Sequence, residues 1–312
     1  MSKTLLAVFG ATGNQGGSII RYVLADQALS QRYAIRAITR NTTSPDAQSL
    51  ASKGVEVVAA DLDNPSTLPA ALKGASFIFA TTNTQYSGNT RAVETRQAKA
   101  ICDEALKQGA QYLIWSSMSH PYKISGGKLT HVEHFDVKAE IETYMRGLPI
   151  RAAFFAPAGF MQNFVTNQMP RPSPANDGTY VLANILHPHT INPQIDITET
   201  GAFIAPILAD PDAFEGKFLA AAQGFYTPVE IAETMSKVSG KTVRHVQLED
   251  EVYKGYLPEP MREQLYEMNV LIRDYGYYGE GMKGLVEETG KIVNGKLSGF
   301  EEFLRRIEFK LE

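Results

Sequence analysis

The sequence predicts a doubly wound α/β fold, a parallel sheet with helices on both faces, followed by a smaller mixed C-terminal region. Three observations lead there. Residues 5–9 form a nearly all-apolar run, as a strand buried on both faces requires. The run ends on a glycine-rich turn, Gly10-Ala-Thr-Gly13-Asn-Gln-Gly16, which opens into apolar residues at helical spacing. Strand-like runs then recur with helical segments between them, and that alternation implies parallel strands joined by crossover helices.

The elements follow in order. Ile19, Ile20, Val23 and Leu24 mark the first helix, and residues 33–39 the second strand, which completes one βαβ unit. Residues 55–59, 77–80 and 112–115 read as strands three to five, each preceded by a helical segment. A helix over 135–146 stops at Gly147 and Pro149, and 150–155 is the sixth strand. After Pro157 the composition shifts, and the run Met169-Pro-Arg-Pro-Ser-Pro174 can continue neither a helix nor a central strand. The chain therefore divides into an α/β domain over 1–157 and a smaller substrate or partner region over 158–312, whose strands and helices can return to the first domain. A cleft is expected between them. Thr227-Pro-Val-Glu230 is a capping box that starts a helix running to about Ser239. Residues 275–281 are an aromatic and glycine loop, followed by a mixed helix through Phe303, Leu304 and Ile307.

With 312 residues, 44% of them hydrophobic and 21% charged, the chain can bury a full core, which excludes a disordered protein. The net charge of -4, the pI near 5.9 and the lack of a long Lys/Arg run exclude direct nucleic-acid binding as an expectation. No segment approaches the roughly 20 apolar residues of a membrane span. The apolar start is short, stops at Gly10 and lacks a cleavage pattern, so it reads as a strand and the expected compartment is the cytoplasm, with the nucleus as a second. Cys102 is the only cysteine and sits in a helical pattern with Ala98, Ile101 and Ala105, where it reads as a small buried apolar residue.

The glycine turn carries the first functional signal, because it lies where a strand becomes a helix. Gly10 permits the tight turn, Gly13 lets backbone approach a pyrophosphate, and Gly16 permits close packing of helix on strand. The helix N-terminus then favours the negative charge. These are the features of a Rossmann-like, NAD(P)-binding domain. At the end of strand two the chain has Thr39-Arg40-Asn41 where an NAD-binding acid would stand, and a guanidinium there can pair with a 2′-phosphate. Arg36, on the same strand face, is the competing charge. Asp61 ends strand three, placed either for the adenine amine or as the cap of the turn Asp61-Leu-Asp-Asn-Pro.

Four segments together resemble the NmrA-like family of atypical short-chain dehydrogenases/reductases: Val8-Phe-Gly-Ala-Thr-Gly-Asn-Gln-Gly-Gly17, Ile38-Thr-Arg-Asn41, His134-Phe-Asp-Val-Lys138 and Gly159-Phe-Met-Gln-Asn-Phe164. The resemblance spans essentially the whole chain. It implies that Gly10, Ala11, Thr12, Gly13, Asn14, Gln15 and Gly16 hold the pyrophosphate, Arg40 the 2′-phosphate, and Asp61 with Leu62 the adenine. It places Thr82 and Asn83 beside the ribose, Lys138 on the nicotinamide ribose, and Gly159, Phe160, Gln162 and Asn163 over the nicotinamide. NADP(H) is the preferred cofactor; some relatives carry further basic residues after the position of Arg40 where this chain has Asn41-Thr-Thr-Ser44, which leaves NAD(H) as the alternative.

Reductases of the superfamily use Tyr-x-x-x-Lys, whose lysine lowers the tyrosine pKa. This chain has His134 at the tyrosine position, so His134 and Lys138 are the candidate catalytic pair, and a purely ribose-binding Lys138 is the other reading. Ser116, Ser117 and Ser119 follow strand five, where a serine can orient a carbonyl substrate. No carboxylate or cysteine cluster sits at ligand spacing beside His120, His131 and His134 or beside His187 and His189, and no metal is expected. The tyrosines at 275, 277 and 278 line a pocket, or pack as a lid or interface. Two functions follow from the resemblance. The first, favoured because the usual tyrosine is absent, is a redox-responsive regulator that acts through a protein partner such as a transcription factor. The other is an NADPH-dependent reductase of a small carbonyl or unsaturated substrate held in the cleft.

Overall fold

A computed structural model describes residues 3–311, apart from 87 and 294. The first six strands are β1 (Thr4–Val8), β2 (Tyr33–Thr39), β3 (Glu56–Ala59), β4 (Phe77–Ala80), β5 (Tyr112–Ser116) and β6 (Arg151–Pro157). Shorter strands follow: β7 (Gly159–Phe160), β8 (Arg171–Pro172), β9 (Tyr180–Asn184), β10 (Asn192–Ile195), β11 (Phe218–Ala221), β12 (Gly224–Tyr226) and β13 (Val243–Gln247). The helices that precede β6 are α1 (Asn14–Ala25), α2 (Gln27–Arg32), α3 (Pro45–Ser52), α4 (Leu68–Leu72), α5 (Thr90–Lys107), α6 (Pro121–Ile124) and α7 (Glu133–Met145). Those after it are α8 (Thr200–Ala209), α9 (Pro228–Ser239), α10 (Asp250–Tyr256), α11 (Arg262–Val270), α12 (Met282–Gly290) and α13 (Phe300–Arg306).

Seven strands form one parallel sheet in the order β11-β6-β5-β4-β1-β2-β3, the doubly wound architecture that the strand and helix alternation predicts. Its central strands are largely apolar because each covers two cores, and β4 and β5 are buried along their whole length. Leu6 and Val8 face the side packed by Ile19 and Ile20 of α1 and Phe203 and Ile204 of α8. Ala7 and Phe9 face the side packed by Ala98, Ile101 and Cys102 of α5 and by Val137 and Ile141 of α7, as the two-residue period of a strand dictates. Cys102 is fully buried there, and burial pushes its thiol up to about 12, so it stays protonated and unreactive at neutral pH.

Residues beyond 157 contribute directly to this first body. β11 adds the outermost strand beside β6. Helix α8 lies against α1 so closely that a Cβ on Gly201 would come within 2.4 Å of the Tyr22 ring. Ser18 Oγ donates to Thr198 O at 2.5 Å and accepts from the Gly201 amide at 2.9 Å, which locks the contact. The remaining short strands form two three-stranded sheets, β12-β10-β7 and β13-β9-β8. A third core cluster of Leu182, Ile231, Met235, Phe300, Phe303 and Leu304 ties α9 and α13 to the second of these sheets.

The capping box at Thr227 and Glu230 is formed, and α9 ends on Gly240 in the left-handed conformation. The expected single tail helix is instead two, α12 and α13, separated where Gly290 and the residues after it lose helical spacing. The glycine-flanked tyrosines do not form a loose lid. Tyr277 and Tyr278 are buried and donate to Pro157 O at 3.2 Å and Ala156 O at 2.7 Å, clamping the tail onto the end of β6. Among the described residues no helix is long and apolar enough to cross a membrane.

Candidate functional site

The order of the sheet puts β1 between β4 and β2, so the direction of winding reverses there. In open parallel sheets that switch point, at the carboxyl ends of the strands, leaves a crevice. Here it is a cleft of about 920 Å³, lined by the segments that follow β1 through β6. It brings together Gly10, Thr12, Gly13, Asn14, Gln15, Gly16, Arg40, Asp61, Leu62, Thr82, Asn83, His134, Lys138, Gly159, Phe160 and Asn163. Two residues of the expected set lie outside it. Ala11 is buried, its amide donating to Ile38 O at 3.3 Å. Gln162 turns away, donating to Asp196 Oδ1 at 2.7 Å and accepting from the Ile197 amide at 3.3 Å.

The glycine turn has the geometry that the spacing requires. Gly10 has φ +62°, in the left-handed region. A Cβ on Gly16 would lie 2.4 Å from Gly10 O and 2.8 Å from Phe9 O, both backbone atoms that cannot move aside. Gly13 caps α1 without any side-chain hydrogen bond, and the first turn carries no acid. The helix amides there, and the positive end of the helix dipole, thus have no anionic partner within the helix, which suits them to a phosphate. Ser116 Oγ, at the end of β5, donates to Gln15 Oε1 at 2.9 Å and steadies the turn from the opposite side.

Of the two arginines near the end of β2, Arg36 is committed elsewhere. It pairs with Glu56 Oε2 at 2.9 Å and donates to Lys73 O at 2.7 Å and Ala71 O at 3.0 Å. Arg40 is exposed at the cleft and makes no ion pair or side-chain hydrogen bond among the described residues. Asp61 serves its own turn, Oδ1 accepting from the Asp63 amide at 3.0 Å, while the residue also lines the cleft.

Lys138 is the most constrained side chain of the site. Its ammonium lies 2.6 Å from Glu94 Oε2, 3.0 Å from Thr82 Oγ1 and 3.2 Å from Thr82 O. Glu94 has no exposed side-chain surface, and it also accepts from Thr82 Oγ1 and, at 2.9 Å, from Thr84 Oγ1. Burial lowers the Lys138 pKa, and the Glu94 carboxylate opposes that shift. His134 stands one helical turn earlier on α7, Nδ1 3.0 Å from Gln264 Oε1, with the Tyr86 and Phe135 rings against it. Burial pushes its pKa down to about 4, with Lys138 adding to the fall, so the imidazole is neutral at pH 7. With Gln264 accepting, the proton sits on Nδ1 and Nε2 is left as an acceptor.

Ser117 and Ser119 lie outside the cleft lining. Ser117 Oγ donates to Glu142 Oε2 at 2.6 Å. The other histidines do not converge: His120 Nδ1 lies 2.5 Å from Asp136, His131 Nδ1 2.5 Å from Glu267, and His187 accepts from Gln247 at 3.0 Å. Among the described residues no group of three or more metal-type side chains comes together. Sequence reasoning missed Glu94, Tyr86, Asn192, Gln194 and Gln264. Glu94 had a readable signal, since it lies in phase with Ala98, Ile101 and Ala105 on the buried stripe of α5.

A glycine turn, an uncapped helix N-terminus and a cleft at the switch point of a parallel sheet define the Rossmann class of dinucleotide-binding folds. Within that class the model of the NmrA-like family matches residues 2–304, and the chain belongs to this family. It is 28% identical over 319 residues to an NmrA-like family domain-containing protein of Dictyostelium discoideum, covering 100% of both chains. To an NmrA-like family domain-containing oxidoreductase of Malbranchea aurantiaca it is 29% identical over 302 residues, covering 93% of this chain and 88% of the relative. The fold is similar to that of NmrA, described as a negative transcriptional regulator and solved with NAD and with NADP. The TM-score is 0.81 at 24% identity, covering 98% of this chain and 96% of NmrA.

Proposed function

We propose that this protein binds NADP(H) in the switch-point cleft and is a reductase of a small carbonyl or unsaturated compound. The observation that carries the cofactor is the cradle itself. Gly16 has no room for a Cβ, the start of α1 has no acidic or capping side chain, and Arg40 is free at the mouth where a 2′-phosphate would be met. NAD(H) fits the same cradle without the Arg40 contact. Gly10, Thr12, Gly13, Asn14, Gln15 and Gly16 would hold the pyrophosphate, Asp61 and Leu62 the adenine end, Thr82, Asn83 and Lys138 the ribose, and Gly159, Phe160 and Asn163 the nicotinamide end. When bound, NADPH supplies a hydride. Beyond Lys138 the cleft continues between Phe135, Phe160, Leu265, Met268, Ile272 and Tyr277, an apolar wall suited to the body of a small organic substrate. The oxidoreductase names of relatives such as that of Malbranchea aurantiaca support this reading.

Within the site, Lys138 acts as a fixed cation that orients hydroxyl groups, held charged by Glu94. His134, neutral and bound through Nδ1 to Gln264, is a wall and an acceptor and not the proton donor. That same observation favours a second reading, a regulator that binds NADP(H) without turnover and signals to a partner such as a transcription factor, in cytoplasm or nucleus. It requires the oxidised and reduced cofactors to differ in affinity between two conformations of the protein.

Calorimetric titration with NADPH, NADP+, NADH and NAD+ on wild type and Arg40→Ala tests the cofactor assignment. Loss of one charge-assisted contact is expected to weaken NADPH binding about 10- to 100-fold and leave NADH unchanged. Equal weakening of both would remove Arg40 from the phosphate. Oxidation of NADPH on a panel of quinones, imines and enones separates the two functions, and no turnover with a several-fold difference between NADP+ and NADPH affinity supports the regulator.

A further inference from the structure

Two side-chain amide oxygens in the cleft are buried without a hydrogen-bond partner among the described residues. Gln194 on β10 is only 2% exposed, and its Oε1 is buried without a hydrogen bond among the described residues. Asn192, two residues earlier on the same strand, has an equally buried and unpartnered Oδ1. Residues two apart in a strand share a face, and both line the cleft. Leaving a buried acceptor unpaired is costly, so a pair of them facing one cavity points to something that fills it.

The neighbouring backbone shows where the amide sits. β10 runs parallel to β7 with Gln194 opposite Gly159. A Cβ on Gly159 would lie 2.9 Å from Gln194 Nε2 and 3.0 Å from Oε1. The bare glycine therefore leaves the space that the Gln194 amide occupies, beside the segment proposed above to close over the nicotinamide. A side-chain amide offers one acceptor and two donors in a plane, and its complement is another carboxamide.

We propose that Gln194, flanked by Asn192, recognises a primary carboxamide, and that this carboxamide is the one on the nicotinamide ring of the dinucleotide. The proposal rests on the NADP(H) reading of the cleft, and 2′-phospho-ADP-ribose, which lacks the nicotinamide, separates the two. Calorimetry would compare wild type, Gln194→Leu and the near-isosteric Gln194→Glu with three ligands: NADP+, its 3-acetylpyridine analogue and 2′-phospho-ADP-ribose. Gln194→Leu is expected to weaken NADP+ about tenfold, the change made by losing one buried neutral hydrogen bond. It should leave 2′-phospho-ADP-ribose within twofold and add no further loss for the acetylpyridine analogue, whose methyl ketone cannot donate.

Unchanged NADP+ affinity in Gln194→Leu would overturn the proposal and leave the pair to ordered water or to an amide-bearing substrate, which titration with free benzamide would then detect. Equal weakening of NADP+ and 2′-phospho-ADP-ribose would also overturn it, by showing a structural effect. If Gln194→Leu binds nothing, Gln194→Glu decides by the same comparison of the two ligands. Failure of the wild type to bind 2′-phospho-ADP-ribose would remove the dinucleotide reading and this proposal with it.

Discussion

Replacing Glu94 by Gln keeps its volume and one acceptor but removes the carboxylate that, among the described residues, pairs with Lys138. In the folded protein the Glu94 side chain is 0% exposed and that of Lys138 12%, so water cannot take over the charge. Removing one partner of such a pair costs about 3–5 kcal/mol, because the other charge stays buried and unpaired. Lys138 can escape by losing its proton, and for a lysine with an ordinary pKa of about 10.4 that costs about 4.6 kcal/mol at pH 7, an upper bound of the same size. The pH dependence follows from the direction of the shift. Burial already holds the folded-state pKa of Lys138 below the unfolded value, and without Glu94 it falls further. The unfolded chain then binds a proton that the folded chain resists, so stability rises with pH across the window between the two values. At pH 9 the penalty shrinks to about 2 kcal/mol by the same arithmetic. Urea unfolding of wild type, Glu94→Gln and Glu94→Gln/Lys138→Met at pH 7 and 9 reads this directly, with a loss of about 3–5 kcal/mol expected at pH 7 and recovery of most of it in the double variant. A loss below about 1 kcal/mol at pH 7, or one that does not change with pH, would refute the idea that Glu94 neutralises Lys138.

Two further outcomes test the site. Gly16→Ala puts a methyl group 2.4 Å from Gly10 O, against backbone that can yield only by shifting β1 from α1; a stability loss of about 1–3 kcal/mol and loss of NADPH binding are expected in thermal melts and calorimetry, and wild-type values in both would remove the packing argument. His134 is held near pKa 4, below its ordinary 6.5, so the unfolded chain takes up a proton that the folded chain refuses as pH falls through that window. That contribution is fully present above pH 6.5 and is lost on the way to pH 4, by roughly 3 kcal/mol. A His134→Leu variant should therefore lose less stability than wild type between pH 7 and 4, and parallel acid limbs would show that His134 is solvated.

Much of the architecture was legible because its causes are local. The apolar run of β1, the turn at Gly10 and the helical spacing of Ile19, Ile20 and Val23 need no distant partner to be recognised. The capping box at Thr227 is a contact over three residues, and it formed as read. The tail was less legible. Phe300, Phe303 and Leu304 have helical spacing on their own, but the break before α13 and the burial of Tyr277 and Tyr278 depend on β6 and β9, far away in the chain. Among site residues, those on the turns after strands could be placed from the sequence, since each strand end must reach the same edge of a parallel sheet.

By itself, then, the sequence determined the doubly wound sheet, the glycine cradle and the positions of Arg40, Asp61 and Lys138 around it. Tertiary structure alone decided their electrostatic state. Arg36 lies within β2 and Arg40 just past its end, four residues on, yet Glu56 of β3 occupies the first and, among the described residues, leaves the second free. Lys138 meets Glu94 across 44 residues, and Gln194 meets Gly159 only through the register of β10 on β7. Charge pairing, burial and unmatched hydrogen-bonding groups depend on what packs nearby in space, and a linear pattern carries periodicity but no dielectric.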